Sequence, residues 1–186
     1  IILCFVFAIC LSIIAIKKYN KKVIAYSLIM FCIFGIFYVN YNPENLEVTY
    51  LDVGQGACSY ISMPNGDNVL VDCGISKYYS NEDIGYKVEN YLTKNSVDVI
   101  DYAILTHYHD DHYSGFFTLM EKQIIKTMVL PKIYGDEEEK SYMELKECAQ
   151  ENNVDIIYFK RGAMLNFDDA KIYAISPLLE DDLSTN

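Results

Sequence analysis

The chain holds three histidines among its 186 residues, and all three fall within six positions, in Thr106-His107-Tyr108-His109-Asp110-Asp111-His112. In extended backbone, residues two apart project to the same side, so His107, His109 and Asp111 share one face if the segment leaves a strand. His112 then turns in at the start of the next element. Four nitrogen and oxygen donors gathered in this way suit zinc, manganese or iron, and the absence of thiolates argues against a purely structural zinc site. The bland alternative, a solvated histidine-rich loop, is weakened by the added Asp and His in phase with the first pair.

The elements that must position this segment can be read from periodicity. Ile104 and Leu105 close a short apolar run over Tyr102–Leu105, a buried strand that delivers the histidines from its C-terminal end. Upstream, residues 46–53 (LEVTYLDV), 57–62 and 68–71 are β-rich runs separated by Gly54-Gln55-Gly56 and by the turn Pro64-Asn65-Gly66-Asp67, a three-strand meander. With that four-residue turn, Cys58 pairs opposite Cys73, where a disulfide could form outside the cell. Ser80-Asn81-Glu82-Asp83 reads as a capping box, with Ile84, Val88, Tyr91 and Leu92 at helical spacing after it. A short helix near 116–122, a strand at 125–130, a helix around 138–151 and strands at 154–159 and 170–175 complete the reading. The acidic run Asp136–Glu139 suits a helix N-terminus. The class is α/β, or α+β.

Composition divides the chain. Residues 1–41 contain four lysines (Lys17, Lys18, Lys21, Lys22) and no acidic residue. With all 26 acidic and 11 of the 15 basic side chains, residues 42–186 carry a net charge of −15. A single uniform globule is excluded, and so is disorder, since 17 tyrosines, 9 phenylalanines and abundant aliphatic residues can fill a core. Residues 1–16 and 23–39 are uncharged apolar runs, each about 24–26 Å long as a helix, and are read as two transmembrane helices. The basic loop 17–22 (KKYNKK) between them belongs in the cytoplasm, which places residues 42–186 outside the membrane as a multi-pass, extracytoplasmic domain. The chain opens on Ile1 and is read as a fragment.

His-x-His-x-Asp-His resembles the signature of the metallo-β-lactamase superfamily. The resemblance implies an αββα sandwich, of which this chain would supply the N-terminal half. It implies that His107 and His109 bind one metal, and Asp111 and His112 a second. Asp72, closing Val-Leu-Val-Asp-Cys-Gly, resembles the superfamily's earlier strand-end aspartate, which supports the histidine loop without being a ligand. A plain turn-initiating aspartate is the alternative. Leu51-Asp52-Val53-Gly54-Gln55-Gly56, Pro64-Asn65-Gly66, Asp72-Cys73-Gly74 and Ile104-Leu105-Thr106-His107, in this order behind apolar helices, resemble the C-terminal domain of the ComEC family of competence DNA-uptake channels. Two positions depart from that family: Ala57-Cys58 follows Gly-Gln-Gly where an acidic residue is usual, and Tyr113-Ser114-Gly115 stands where Gly-Gly is usual.

What this resemblance implies is a membrane-anchored, zinc-dependent hydrolase with two metal sites when complete, manganese being the alternative cofactor. It would cleave phosphodiester bonds of incoming DNA, with Asp111 as catalytic residue and with the membrane, DNA and other competence proteins as partners. Two other readings stand beside it: a non-catalytic part of the uptake channel, and a membrane-anchored metallo-hydrolase of another substrate. The remaining ligands implied by the resemblance, an aspartate and two histidines, belong to the second half of the sandwich, and no histidine follows His112. The net charge of −15 is the wrong sign for a grip on phosphate backbone.

Overall fold

The computed structural model describes residues 45–76, 83–132 and 136–176, together with scattered helical positions between Lys22 and Gly35. The chain divides into two compact units, Ile1–Asn42 and Pro43–Asn186. Most of both apolar runs in the first unit lies outside the described residues. Among the described residues, no helix is long and apolar enough to cross a membrane.

The second unit is built on a six-stranded mixed sheet in the order β1-β2-β3-β4-β5-β6. The strands are β1 (Glu47–Tyr50), β2 (Cys58–Ser62), β3 (Asn68–Cys73), β4 (Ile100–Ile104), β5 (Ile125–Pro131) and β6 (Asp155–Phe159). The first three pair antiparallel and the last three continue from β3 in parallel. This change of direction follows from connection length: Pro64–Asp67 permits a hairpin, whereas parallel neighbours need crossovers. The crossovers are the helices α1 (Ile84–Lys94), α2 (Asp110–Tyr113) with α3 (Phe116–Glu121), and α4 (Asp136–Glu151).

Side-chain alternation divides the core between the two sheet faces. Leu70, Ala103, Met128 and Leu130 point to one face, where Ile84, Val88 and Leu92 of α1, Phe116, Leu119 and Met120 of α3, and Leu145 and Ala149 of α4 cover them. Val69 and Val129, with the partly buried Val71, Tyr102, Ile104, Ile157 and Phe159, point to the other. That face is covered by a two-stranded hairpin of β7 (Met164–Phe167) and β8 (Ala170–Tyr173), through Leu165 and Phe167. Strands covered on both faces must be apolar at nearly every position, which is why VLV, YAIL and MVLP read as continuous runs. Each fully buried aliphatic side chain contributes roughly 1.5–3 kcal/mol.

Helix α1 begins at Asp83, whose carboxylate accepts from the Gly85 amide at 3.0 Å and from the Thr118 hydroxyl at 2.6 Å. The cap therefore also ties α1 to α3. Ser80 of the expected capping box lies outside the described residues. The sequence reading contained no strand at Met164–Phe167. This is a four-residue segment whose buried residues are only Leu165 and Phe167, too short for alternation to identify.

Candidate metal centre

The histidine segment leaves β4 at its C-terminal end. His109 is extended (φ −92°, ψ 146°) and forms the N-cap of α2, so Asp110, Asp111 and His112 lie in one helical turn. Chain reversal there brings the three imidazoles together. The ring centre of His107 is 4.7 Å from that of His109 and 3.9 Å from that of His112. Asp111 Oδ2 lies 3.7 Å from His112 Nε2.

Two glycine-lined approaches hold the loop in place. A Cβ on Gly74 would collide with the main chain of Asp111 and His112, and a Cβ on Gly56 would collide with the carbonyl group of Gly74. The loop after β1, the end of β3 and the histidine turn are thus stacked backbone on backbone, which only glycine permits. Hydrogen bonds join the layers: the Ala57 amide donates to the Asp111 carbonyl (3.0 Å) and the Gly74 amide to the Ala57 carbonyl (3.1 Å). Ala57, where an acidic residue is usual, acts here through its main chain. Ser114, in place of a glycine, is also used: its hydroxyl donates to the Ile75 carbonyl (3.2 Å) and accepts from the Ile75 amide (3.0 Å).

Asp72 is the centre of the polar network. The β2–β3 register runs from Cys58↔Cys73 to Ser59↔Val71, leaving Asp72 as the extra residue of a bulge, and its φ of 55° lies in the left-handed region. Aspartate tolerates this conformation better than most residues, and a bulge re-aims a side chain. Here it turns a 5% exposed carboxylate toward the histidine loop. Asp72 Oδ1 accepts from the Thr106 amide (2.8 Å), and Oδ2 accepts from the Thr106 hydroxyl (2.8 Å) and lies 2.8 Å from His112 Nδ1.

The proton positions follow from this geometry. A carboxylate only accepts, so Nδ1 of His112 carries a proton and donates it to Asp72, which leaves Nε2 outside this hydrogen bond. The single Thr106 hydroxyl proton is given to Asp72, so Thr106 Oγ1 accepts from His107 Nδ1 at 3.0 Å. His107 is then also protonated on Nδ1, with Nε2 bare. Partial burial, reinforced by the neighbouring His112 and His109, pushes the His107 pKa below its ordinary value and favours this neutral ring. An aspartate–histidine pairing of this type orients metal-ligating imidazoles and raises their basicity.

The donor chemistry fits a divalent cation: two imidazoles each held through Nδ1, a third imidazole beside them, and a carboxylate 3.7 Å from one. The donors are neighbours without forming a closed cage. Among the described residues, no group of three or more His, Cys, Asp or Glu side chains converges on one point as a ready metal site. His107, His109 and His112 instead pack ring against ring. The four residues expected as donors are thus neighbours, and their donor atoms do not converge on one point. The sequence reading gave no role to Thr106, Gly74 or Ser114. Thr106, a hydroxyl between the strand and the first histidine, carried the most visible signal.

Comparison with known proteins gives the family. A family model for the metallo-β-lactamase superfamily matches residues 51–171. ComE operon protein 3 of Bacillus subtilis (strain 168) is 30% identical over 151 residues, covering 75% of this chain and 19% of that protein. Cleavage and polyadenylation specificity factor subunit 3-I of Arabidopsis thaliana is 32% identical over 87 residues, covering 45% of this chain and 12% of that protein. Recombination protein 2 of Haemophilus influenzae is 25% identical over 122 residues, covering 64% and 15%. The chain spans about a fifth or less of the length of these curated relatives. With its mixed sheet, its helix-covered face and its histidine turn braced by a strand-end aspartate, the chain belongs to the metallo-β-lactamase superfamily.

Proposed function

We propose that this chain is the metal-binding half of a membrane-anchored hydrolase of a DNA-uptake protein, acting on phosphodiester bonds. The observation that carries the metal chemistry is the shared Oδ2 of Asp72, which holds two imidazoles by their Nδ1 atoms, His112 directly and His107 through Thr106, and so keeps Nε2 outside the network. The similarity to ComE operon protein 3 supports the DNA-uptake context. His107 and His109 would hold one zinc or manganese ion, and Asp111 with His112 a second. Bound there, the ions would supply an activated water and charge neutralisation for in-line displacement. Asp111, partly exposed at the rim, accepts a hydrogen bond from the attacking water, while Asp72 keeps His112 in one tautomer.

The experiment is metal analysis and nuclease assay of the full-length protein that carries this segment, wild type beside Asp111→Ala and Asp110→Ala. Asp111→Ala abolishes hydrolysis and Asp110→Ala retains most of it. Equal damage from both would refute the assigned phase of the motif. The net charge of −15 favours a second reading, a folded, non-catalytic part of the uptake channel, and metal-free, nuclease-inactive wild type would select it.

The same reading places residues 42–186 on the extracytoplasmic side, because the basic loop 17–22 stays in the cytoplasm. A membrane-impermeant thiol reagent should then label Cys148 on intact cells once Cys58 and Cys73 are replaced. Labelling only after lysis would reverse the orientation.

A further inference from the structure

We propose that Cys58 and Cys73 form a disulfide under oxidising conditions, and that this bond fastens the bulge on which the histidine loop rests. The two residues are direct partners across the antiparallel β2–β3 pair. Opposed residues in such a pair have Cα atoms about 4.5–5.5 Å apart, within the roughly 4.4–6.8 Å that a disulfide spans. Both are buried, Cys58 at 4% and Cys73 at 0% exposure, and the Cys58 side chain is near enough to push the Cys73 thiol well above its ordinary pKa. Both are free thiols in this structure. Cys148 lies on α4, away from this strand pair in the sequence of elements.

The position of the pair gives the bond a consequence. Cys73 follows Asp72 at the bulge, and its carbonyl accepts the Gly115 amide at 2.7 Å. Its Sγ lies so close to Gly115 that a Cβ there would sit 2.6 Å from the sulfur. Ala57, the neighbour of Cys58, donates its amide to the Asp111 carbonyl at 3.0 Å. The two cysteines therefore clamp the strand end that aims Asp72 and seats both sides of the histidine turn. A covalent bond across it limits the opening of β2 from β3, the motion that would release Asp72 from Thr106 and His112.

In the reaction both S–H bonds are lost and one S–S bond forms. Two electrons and two protons pass to a small-molecule or protein disulfide, which is reduced to two thiols. Burial means that the bond forms while the strands assemble or open, and that the folded protein afterwards shields it from reductant.

The test uses the 186-residue chain refolded in detergent with a mixture of oxidised and reduced glutathione, and in parallel with excess dithiol reductant. Free thiols are blocked, and the protein is digested and analysed by mass spectrometry. The expected result is a peptide linking Cys58 to Cys73, lighter by two hydrogens, with Cys148 blocked. The linked form should melt higher than the reduced form by on the order of 10 °C, as for closure of a loop of about 15 residues. Hydrogen exchange at the Thr106 amide should slow about tenfold or more. Absence of the linked peptide, linkage of either cysteine to Cys148, or a linked form whose stability and Thr106 exchange match the reduced protein would overturn the proposal. Because both arms use the wild-type chain, no variant has to fold for the test to decide.

Discussion

Replacing Asp72 should separate its two roles, as a brace and as the residue that orients a histidine. Asp72→Ala removes the acceptor for the Thr106 amide, the Thr106 hydroxyl and His112 Nδ1. Hydrogen bonds to a charged group contribute about 1.5–3 kcal/mol each. Thr106 is exposed and His112 only partly buried, so water can replace part of the loss, and a total near 3 kcal/mol is the working figure. The φ of 55° adds about 1 kcal/mol for an alanine forced into the left-handed region. The sum, about 4 kcal/mol, should appear in urea denaturation as a lower midpoint at nearly unchanged slope. Asp72→Gly suffers the same hydrogen-bond loss without the backbone strain and should be about 1 kcal/mol more stable than Asp72→Ala. Asp72→Asn keeps the shape but has one acceptor oxygen, so it cannot serve both the Thr106 amide and the pair formed by the Thr106 hydroxyl and His112 Nδ1; one side must face its NH2 group. It should cost only about 1–2 kcal/mol of stability, yet weaken zinc binding by titration calorimetry about 10–100-fold. Unchanged zinc affinity in Asp72→Asn would show that the aspartate acts only as a brace. A loss below about 1 kcal/mol in Asp72→Ala would show that the network contributes little.

Two further outcomes follow from the packing. Gly74→Ala should displace the histidine turn, because the added methyl meets the main chain of Asp111 and His112, which cannot rotate away. A loss of about 1–3 kcal/mol and at least tenfold weaker metal binding are expected, and wild-type values for both would refute the close stacking. At high pH the Tyr142–Tyr158 pair should matter: burial and the 2.7 Å hydroxyl contact push the Tyr158 pKa up to about 12. A phenol whose folded pKa is raised stays fully stabilised below its unfolded value near 10 and loses that contribution as pH rises toward 12. Tyr142→Phe should bring the ionisation of Tyr158, followed by ultraviolet absorbance, toward the ordinary range, and no change would assign the shift to burial alone.

Much of this arrangement was legible in the sequence because its signals are local. Two-sided burial writes itself as continuous apolar runs, so β3, β4 and β5 could be placed to within a residue or two. The Pro-Asn-Gly-Asp turn set the hairpin and with it the Cys58–Cys73 register. The clustering of the three histidines marked the site, and the strand–turn–helix path made His112 close back on His107. Other features depend on contacts between segments distant in the chain. The left-handed turn at Asp72, its partners 34 and 40 residues away, and the backbone stacking of Gly56 on Gly74 on Asp111 leave no local periodicity. The hairpin β7–β8 is recognised only by the sheet face it covers. Residue types and their spacing determined which chemistry could be assembled here. Tertiary packing alone decided which imidazole nitrogen is tied down and which is left bare, since that depends on one carboxylate delivered by a different strand.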